Sequence, residues 1–321
     1  MVAQAPLVVG IDVSKRKLDW CIRGQERGCA ANTPPACTAL AETLRQRGVC
    51  MAVVEASGGY EATVVSAFRA AGVVAWVVDP KRVRDFAKSA GRRAKNDAID
   101  ADVIAWFAET FGKGQSAPTP DVPREELAAL VAERQGFVAL SIQLKNRDEH
   151  PGSAAVARER RAIVKQIARA VARLEAAITR KIAHTPHLAE AARVLTSVPG
   201  IGDLTAAALI AWLPELGRID RRKLSALVGV APYDNDSGNQ KGARHIAGGR
   251  FNLRTALYMP TVGAATQHNP VLRDYYAHLL ATGKVEKVAL VACMRKLLGI
   301  LNTMMARHET WSPRQSAPAV A

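Results

Sequence analysis

Four acidic residues in the amino-terminal third have the types and spacing of a metal-dependent catalytic site: Asp12, Glu55, Asp97 and Asp100. A buried cluster of carboxylates is costly in free energy unless a cation joins it, and ligands that are all oxygen suit Mg²⁺. Ions of this kind polarise a phosphate and stabilise the oxygens that attack and leave it. The first prediction is therefore metal-assisted phosphoryl transfer, with these four acids as ligands of Mg²⁺.

The elements that must position these acids alternate between strand and helix. Apolar, β-rich runs predict strands at 7–13, 17–22, 29–31, 49–54 and 73–78, with helices at 34–47 and 61–71. This order is typical of an α/β domain with a mixed sheet. Asp12 falls near the end of the first strand and Glu55 just after the fourth. Ligand sites in open α/β sheets gather beyond the carboxyl ends of strands, so the two acids are expected near each other.

Asp97 and Asp100 are three residues apart in a helical segment, so they share one helix face, whereas Asp102 points elsewhere. Ile104 and Phe107 continue that face and indicate that it turns inward. The alternative is structural: the acids cap a turn and a helix, and the aspartate pair is a solvated first turn stabilised by the helix dipole. The residues alone leave both interpretations open.

Composition indicates a nucleic-acid partner. The 321 residues are 49% hydrophobic, enough for two or three domains, and 44 Lys and Arg against 29 Asp and Glu give a formal charge of +15. Such a surplus attracts phosphate backbones, although it does not by itself separate DNA, RNA and anionic membranes.

The sequence also bears on the compartment. Five cysteines without a CxxC pair indicate neither a disulfide framework nor a structural zinc site. The start has no signal-peptide pattern, and the longest apolar stretch, 204–213, is too short to span a bilayer. We expect a soluble protein that binds no membrane and lies in the cytoplasm, associated with the nucleoid.

A basic segment, 81–95, precedes the second acid pair and is predicted to contact an RNA or DNA backbone. Its candidate contacts are Lys81, Arg82, Arg84, Arg92, Arg93 and Lys95. The alternative is an ordinary solvated helix.

The rest of the chain is predicted to be helical. A Gly-, Pro- and Ser-rich linker, 113–123, leads into 124–185, where a break at His150-Pro151-Gly152 predicts two long antiparallel helices. Two apolar seams are expected to form packing or dimerisation surfaces. The first contains Leu127, Leu130, Val131, Phe137 and Leu144, and the second Ile163, Ile167, Val171, Leu174 and Ile178.

The segment VLTSVPGIGDLTA resembles a helix-hairpin-helix element. Backbone amides around Gly200 and Gly202, together with the helix that starts at Asp203, are expected to bind a phosphate. It belongs to a region, 186–310, that precedes a tail, 311–321, expected to be disordered.

Five motifs in order now resemble one family: GIDVSK, VVEASGGYE, KNDAIDA, VPGIGDLTA and GVAPYDNDSG. They are similar to those of the DEDD transposases of the insertion-sequence one-ten type, relatives of the Piv site-specific invertase known as bridge-RNA-guided recombinases. The resemblance covers nearly the whole chain. One departure is Asn96, where the family usually has Thr.

The resemblance implies a ribonuclease-H-like (RuvC-like) catalytic domain at 1–112, a coiled coil at 124–185 and a mainly helical transposase domain at 186–310. The four acids carry over as Asp12, Glu55, Asp97 and Asp100, and a nucleophilic serine carries over onto Ser237. A serine attacking a phosphodiester would form a covalent phosphoserine link and so conserve bond energy for religation. The basic residues Lys241, Arg244, His245, Arg250 and Arg254 follow it and are expected to bind phosphates.

The implied function is cutting and rejoining of donor and target DNA to move an insertion sequence, with target choice supplied by a structured non-coding guide RNA. Synapsis of two DNA partners implies a dimer or tetramer assembled through the coiled coil. One alternative is a nuclease of the Holliday-junction-resolvase kind, which uses the same acids with water as nucleophile. Another is a nucleic-acid-binding scaffold without catalysis.

Overall fold

A computed structural model describes residues 7–92, 97–112, 121–147, 152–236, 242 and 244–312, without the side chains of 97–99. The chain divides into two compact units, Met1–Pro120 and Asp121–Ala321. The finer division expected from the sequence, with domains at 1–112, 124–185 and 186–310, stays a prediction.

The first unit is built on one mixed five-stranded sheet, as the sequence predicts. Its strands are β1 (Leu7–Val13), β2 (Lys17–Ile22), β3 (Glu26–Ala31), β4 (Val49–Glu55) and β5 (Val74–Val78). Their order is β3-β2-β1-β4-β5, and the β1–β2 and β2–β3 pairs are antiparallel whereas the β1–β4 and β4–β5 pairs are parallel. Two predicted bounds were wrong: β3 begins three residues earlier than expected, and Glu55 is the last residue of β4.

Helices cover both faces of this sheet. They are α1 (Pro34–Gln46), α2 (Ala62–Ala70), α3 (Pro80–Ser89) and α4 (Asp97–Phe111). Prolines begin α1 and α3, where a missing N–H costs nothing, and the Asp79 carboxylate caps α3 by accepting from the Lys81 N–H at 2.7 Å. Side chains alternate along β1, so Val9 and Ile11 pack with α1 and α2 while Val8 packs with α4. Burial on both faces explains why the central strands are continuously apolar.

The backbone of helix α4 packs directly against the backbone of β1, because β1 has a glycine, Gly10, at the point of contact. A Cβ on Gly10 would stand 2.3 Å from both the Ala101 carbonyl oxygen and the Ala105 nitrogen. Just past the other end of the helix, a Cβ on Gly112 would stand 3.0 Å from Met51 Sδ, and Met51 pairs with Val8 near the start of β1. Helix α4 therefore runs antiparallel to β1, and its first turn lies at the carboxyl ends of β1 and β4.

The second unit begins with two long helices, α5 (Val122–Asn146) and α6 (Ala154–Ala183). They run antiparallel, as predicted, because Arg134 pairs with Glu175 at 2.7 Å and Lys181 pairs with Glu126. Leu127, Val131, Ile167 and Ile178 are buried, whereas Ile163 is 47% exposed, and its place in a dimerisation surface stays a prediction. A coiled coil in the strict sense stays a prediction.

The remaining elements surround one apolar core in this unit. They are α7 (Pro186–Thr196), α8 (Asp203–Trp212), α9 (Arg221–Val228), β6 (Pro232–Tyr233), β7 (His245–Ile246), α10 (Phe251–Gly263), a π-helical turn (Ala264–His268), α11 (Pro270–Ala281) and α12 (Glu286–Arg307). Helix α8 is buried nearly all round from Ala206 to Ala211, which explains its uniformly apolar sequence.

Within the described residues, α5 and α12 are long and apolar enough to cross a membrane by length and composition. Core helices of soluble proteins meet the same criterion, and the apolar side chains of α12 pack in the core of the second unit. These helices therefore give little support to a membrane span.

We expect Gly10→Ala to destabilise the first unit, because the new methyl group would displace the backbone of α4. Overpacking of this kind costs about 1–3 kcal/mol or more. The matched control is Gly136→Ala in α5, where a Cβ meets nothing within 4 Å, so removing a helical glycine should stabilise by up to about 1 kcal/mol. Urea denaturation measures both changes. An unfolding midpoint of Gly10→Ala equal to that of the wild type would contradict the described packing.

Candidate functional site

The structure places Asp12 and Glu55 side by side at one edge of the sheet. Ile11 pairs with Val54 in the parallel register, so Asp12 and Glu55 occupy the next position on the two strands. Gly10 on β1 and Val53 on β4 face α4. Side chains two residues apart on a strand point to the same face, so Asp12 and Glu55 also point to the side of the sheet that α4 covers. Both side chains are partly buried.

The second acid pair comes to this edge on α4. Helix α4 starts at Asp97, and Asp100, partly buried, immediately precedes Ala101, whose carbonyl oxygen lies over Gly10. Ile104 and Phe107 are buried beneath the helix, which confirms that this face turns inward. The side chain of Asp97 lies outside the described residues. Among the residues that were described, no group of three or more His, Cys, Asp or Glu is close enough to hold a metal ion.

A further acid, which the sequence reasoning missed, lies on the same face. Asp19 on β2 is directly opposite Asp12 in the antiparallel register, and its carboxylate is 2.7 Å from the Lys17 ammonium. Like charges in directly opposite positions of an antiparallel pair repel, and the Lys17 ammonium offsets part of this repulsion at Asp19. The short connection between the first two predicted strands was the signal that could have revealed Asp19.

Asn32, also missed, ties together the two loops that follow the acidic strands. Its Nδ2 donates to the carbonyl oxygens of Ser14, just after β1, and Tyr60, beyond β4, at 3.0 Å each. Both loops emerge at the acidic edge of the sheet, so this amide fixes the distance between the ends of the strands that bear Asp12 and Glu55.

Glu61 holds the loop that follows Glu55. Its Oε2 accepts hydrogen bonds from the Ser57 N–H at 3.0 Å, the Ser57 hydroxyl at 2.9 Å and the Gly59 N–H at 2.9 Å. Burial raises the pKa of this carboxyl, but the hydrogen bonds together lower it by more. The pKa therefore lies below its ordinary value of 4.5.

Several residues predicted to bind nucleic acid are engaged within their own unit. Arg92 Nη1 is 2.6 Å from Asp102 Oδ2, and Arg250 makes two bonds to Glu215, at 2.7 and 2.6 Å. Arg254 Nη1 donates to the carbonyl oxygens of Gly229 and Gly248. Burial raises the pKa of Glu215, but the Arg250 guanidinium lowers it more, so it lies below the ordinary value. These guanidiniums have clear structural partners, and their contacts to phosphate stay predictions.

The remaining basic candidates differ in position. Lys81, which pairs with Asp85, is 82% exposed, and Arg84 is also exposed, whereas the Arg82 guanidinium lies 5.4 Å from the centre of the Phe107 ring. Arg244 pairs with Asp234 on the surface. Arg93, Lys95 and Lys241 lie outside the described residues.

The proposed phosphate-binding turn joins α7 to α8. Gly200 has φ +99°, which favours glycine, and a Cβ there would stand 2.6 Å from the Ala264 side chain. Asn269, fully buried, donates to the Pro199 carbonyl at 3.5 Å and accepts from the Leu272 N–H. Helix α8 starts after Gly202, which has no side chain. No side chain of the N-cap residue therefore accepts a hydrogen bond from the first amides of α8.

Ser237 lies outside the described residues, in the connection between β6 and β7. The two strands pair antiparallel, with Tyr233 opposite His245. The Gly242 N–H donates to Asp236 Oδ1 at 3.1 Å, which joins the two sides of the connection. Nothing in the described structure tests the role of Ser237.

A mixed sheet with acids at its carboxyl edge, followed by a helical unit, is the arrangement expected of a DEDD transposase. A family model for DEDD transposases of IS110, described as transposase, matches residues 9–149. A second, described as the transposase IS116/IS110/IS902 family, matches residues 192–277. The chain belongs to the IS110 family of transposases and is a DNA transposase or recombinase.

Known relatives agree with this assignment. The chain is 26% identical to the pilin gene-inverting protein of Moraxella bovis over 325 residues, which cover 95% of this chain and 98% of that protein. It is 30% identical to the insertion element IS116 uncharacterized 44.8 kDa protein of Streptomyces clavuligerus over 137 residues, 42% of this chain and 34% of that protein. The family resemblance predicted from the motifs is therefore confirmed.

We expect Glu61→Gln to lower stability at pH 7, because the amide accepts the three loop hydrogen bonds less strongly than the carboxylate. Hydrogen bonds to a charged group contribute about 1.5–3 kcal/mol, and partial exposure reduces this toward about 1 kcal/mol. Since the folded pKa is lowered, the wild-type advantage is complete above pH 4.5 and is lost as the pH falls through the folded pKa.

Urea denaturation of both proteins at several pH values measures this difference. The control is Glu42→Gln, which removes an exposed pair with Arg45 and should change stability by less than about 1 kcal/mol. A Glu61→Gln deficit that stays constant from pH 7 to pH 3 would contradict the proposed linkage.

Proposed function

We propose that this transposase cuts and rejoins donor and target DNA to move an insertion sequence. Asp12, Glu55, Asp97 and Asp100 hold Mg²⁺, and Ser237 is the nucleophile. The observation that supports this most is the register of β1 and β4, which sets Asp12 beside Glu55 at the sheet edge where α4 begins.

The donor set fits Mg²⁺. The acids at this edge are carboxylates, whose oxygens suit a hard divalent ion, and Asp12 and Asp19 lie directly opposite each other on neighbouring strands. When bound, Mg²⁺ polarises the scissile phosphate and stabilises the oxygens that attack and leave it. Asp12 and Glu55 hold the ion from the sheet, and Asp97 and Asp100 hold it from the first turn of α4.

In the proposed reaction, the Ser237 hydroxyl loses its proton and its oxygen forms a bond to the DNA phosphorus. The bond from phosphorus to one deoxyribose oxygen breaks, and that oxygen takes a proton and leaves as a hydroxyl. The reverse step, with a hydroxyl of the partner strand as nucleophile, releases Ser237 and reseals the DNA. The phosphodiester energy is conserved in the phosphoserine bond, so no external energy source is needed.

The surroundings of the acidic edge suit a nucleic-acid backbone. Glu55 pairs with Val78, and α3 starts two residues after Val78, so the helix that bears Lys81, Arg82 and Arg84 begins at the same edge as the acids. We assign these residues, with Arg93 and Lys95, to the DNA or guide-RNA backbone. In the second unit we assign the amides around Gly200 and Gly202, with Lys241 and Arg244, to phosphates.

Guide RNA and assembly are also part of the proposal. The formal charge of +15 supports contact with an RNA that selects the target by base pairing. The exposed apolar side chains Leu140, Ile142, Val156 and Ile163 on α5 and α6 support a dimer or tetramer through a coiled coil. Action on chromosomal DNA would place the protein in the cytoplasm, associated with the nucleoid.

We expect Asp97→Asn to abolish strand exchange while DNA binding in the absence of Mg²⁺ stays within about twofold. The loss should exceed the roughly 10- to 100-fold typical of removing a group next to a metal ligand. Recombination of a plasmid substrate and a gel-shift assay measure the two properties. Asp85→Asn, on the exposed face of α3, serves as the control and should recombine normally. Full recombination by Asp97→Asn would show that Asp97 is not part of the site. Nucleic-acid binding that changes neither with this substitution nor with Mg²⁺ removal, in a protein that does not recombine DNA, would support a scaffold.

We expect the wild type to form a denaturant-resistant protein–DNA adduct and Ser237→Ala to form none, because only the hydroxyl can become a phosphoserine. Gel electrophoresis in detergent with labelled DNA detects the adduct, and Ser89→Ala in α3 is the control with an unaffected adduct. An adduct that persists in Ser237→Ala would identify another nucleophile. Cleavage by Ser237→Ala at the wild-type rate, without an adduct in either protein, would indicate a nuclease that uses water.

A further inference from the structure

Trp106, on α4, lies between two arginines that come from different parts of the first unit. The Arg23 guanidinium carbon is 4.7 Å from the centre of the Trp106 rings, and that of Arg92 is 5.3 Å away. Both guanidiniums also approach Asp102, Arg92 at 2.6 Å and Arg23 at 3.9 Å. Arg23 further pairs with Glu109 at 3.0 Å. We call Arg23, Arg92, Asp102 and Trp106 the α4 latch.

Arg92 joins the latch from the chain that leads into α4, whereas Asp102 and Trp106 lie in the second and third turns of the helix. Arg92 is the last described residue before 93–96, and its backbone N–H donates to the Ala87 carbonyl at 2.9 Å, which closes the end of α3. Five residues later Asp97 begins α4. The pairing of Arg92 with Asp102 therefore fixes the chain on one side of this connection to the second turn of the helix on the other side.

The first turn of α4 depends on this entry more than the rest of the helix does. The buried contacts of α4 with the sheet begin at Ala101, over Gly10, and continue through Ile104 and Phe107. The first turn, 97–100, precedes them, and the amides of a first helical turn have no partner within the helix. The proposed metal ligands Asp97 and Asp100 both belong to that turn.

We propose that the α4 latch positions the first turn of α4, so that Asp97 and Asp100 face Asp12 and Glu55 in a geometry that holds the metal. The latch residues are positioning residues and do not touch the substrate. This inference rests on the proposed metal site. It assigns Arg92 to an intramolecular role in place of the nucleic-acid contact that the sequence predicted.

Stability alone does not account for the latch. The side chains of Arg23, Arg92 and Asp102 are 32%, 42% and 26% exposed, and ion pairs at such exposure contribute little to folding. Instead, the guanidiniums of Arg23 and Arg92 contact the same indole and the same carboxylate, which restricts the direction in which the chain leads into α4. Arg provides the planar stacking and the charge together, which Lys cannot.

The experiment measures Mn²⁺ binding directly, by the loss of the electron paramagnetic resonance signal of free Mn²⁺ in the presence of the full chain. Asp102→Asn and Arg92→Gln are each expected to weaken Mn²⁺ binding about 10-fold, as groups that orient metal ligands do. The double variant is expected to be no weaker than either single variant, since both remove the same contact. Asp102→Glu should restore much of the affinity, and melting temperatures should stay within a few degrees of the wild type.

Controls separate the possible failures. Asp85→Asn removes an exposed ion pair of α3 and should bind Mn²⁺ as the wild type does. If Asp97→Asn binds Mn²⁺ normally, the proposed metal site fails and the latch inference fails with it. If Asp97→Asn loses Mn²⁺ but Asp102→Asn and Arg92→Gln do not, the latch inference alone is overturned. Weaker DNA binding by Arg92→Gln, with unchanged Mn²⁺ affinity, would overturn it in favour of a backbone contact.

Discussion

The close contact between the backbone of Gly10 and helix α4 is the constraint on which the first unit depends. Any side chain at this position would stand 2.3 Å from two backbone atoms of α4, so only glycine lets the helix lie directly on β1. Asp12 lies two residues after Gly10 on the same face of β1. On the helix, Asp100 immediately precedes Ala101, which makes this contact. The packing of the core therefore also fixes the backbone of Asp100 relative to that of Asp12. In the proposed site, a helix held farther from the sheet would still bury Ile104 and Phe107 in part, but it would move Asp97 and Asp100 away from Asp12 and Glu55.

Charge sets the second requirement of the site. The protein as a whole is strongly positive, yet one edge of its sheet collects Asp12, Asp19 and Glu55 on a single face. In the proposed mechanism the basic residues attract a phosphate backbone, and a bound cation offsets the repulsion between that backbone and the carboxylates. On the proposed mechanism, metal binding therefore serves two purposes, since it lets the phosphate approach and it also stabilises the reacting oxygens.

Much of this arrangement could be predicted because it depends on local pattern. Continuous apolar runs gave the two central parallel strands, and the order of elements placed Asp12 and Glu55 at one edge. What was missed depends on pairings that the linear pattern does not show. Asp19 is placed opposite Asp12 only by the β1–β2 register, and Arg92, predicted to contact nucleic acid, pairs with Asp102 because of the path of the chain between α3 and α4. Ile163 differs from these: its helical spacing predicted an apolar seam, yet its side chain is 47% exposed although Arg160, one turn earlier, donates to the Arg147 carbonyl just after α5. Spacing gives the face of a helix, and tertiary structure decides what covers it.

The distinction between hydrolysis and recombination does not lie in the acids. A carboxylate edge with Mg²⁺ activates water as readily as a hydroxyl, so this part of the site is common to nucleases and recombinases. In the proposed mechanism the difference is Ser237, which lies in the second unit, whereas the four acids lie in the first. Each unit has its own apolar core, so the metal site and the nucleophile can each be formed without the other. A reaction that needs both is then conditional on bringing them together, within one chain or between two. The similarity to a gene-inverting protein extends over 95% of this chain and includes both units, as expected if both units are needed for one reaction.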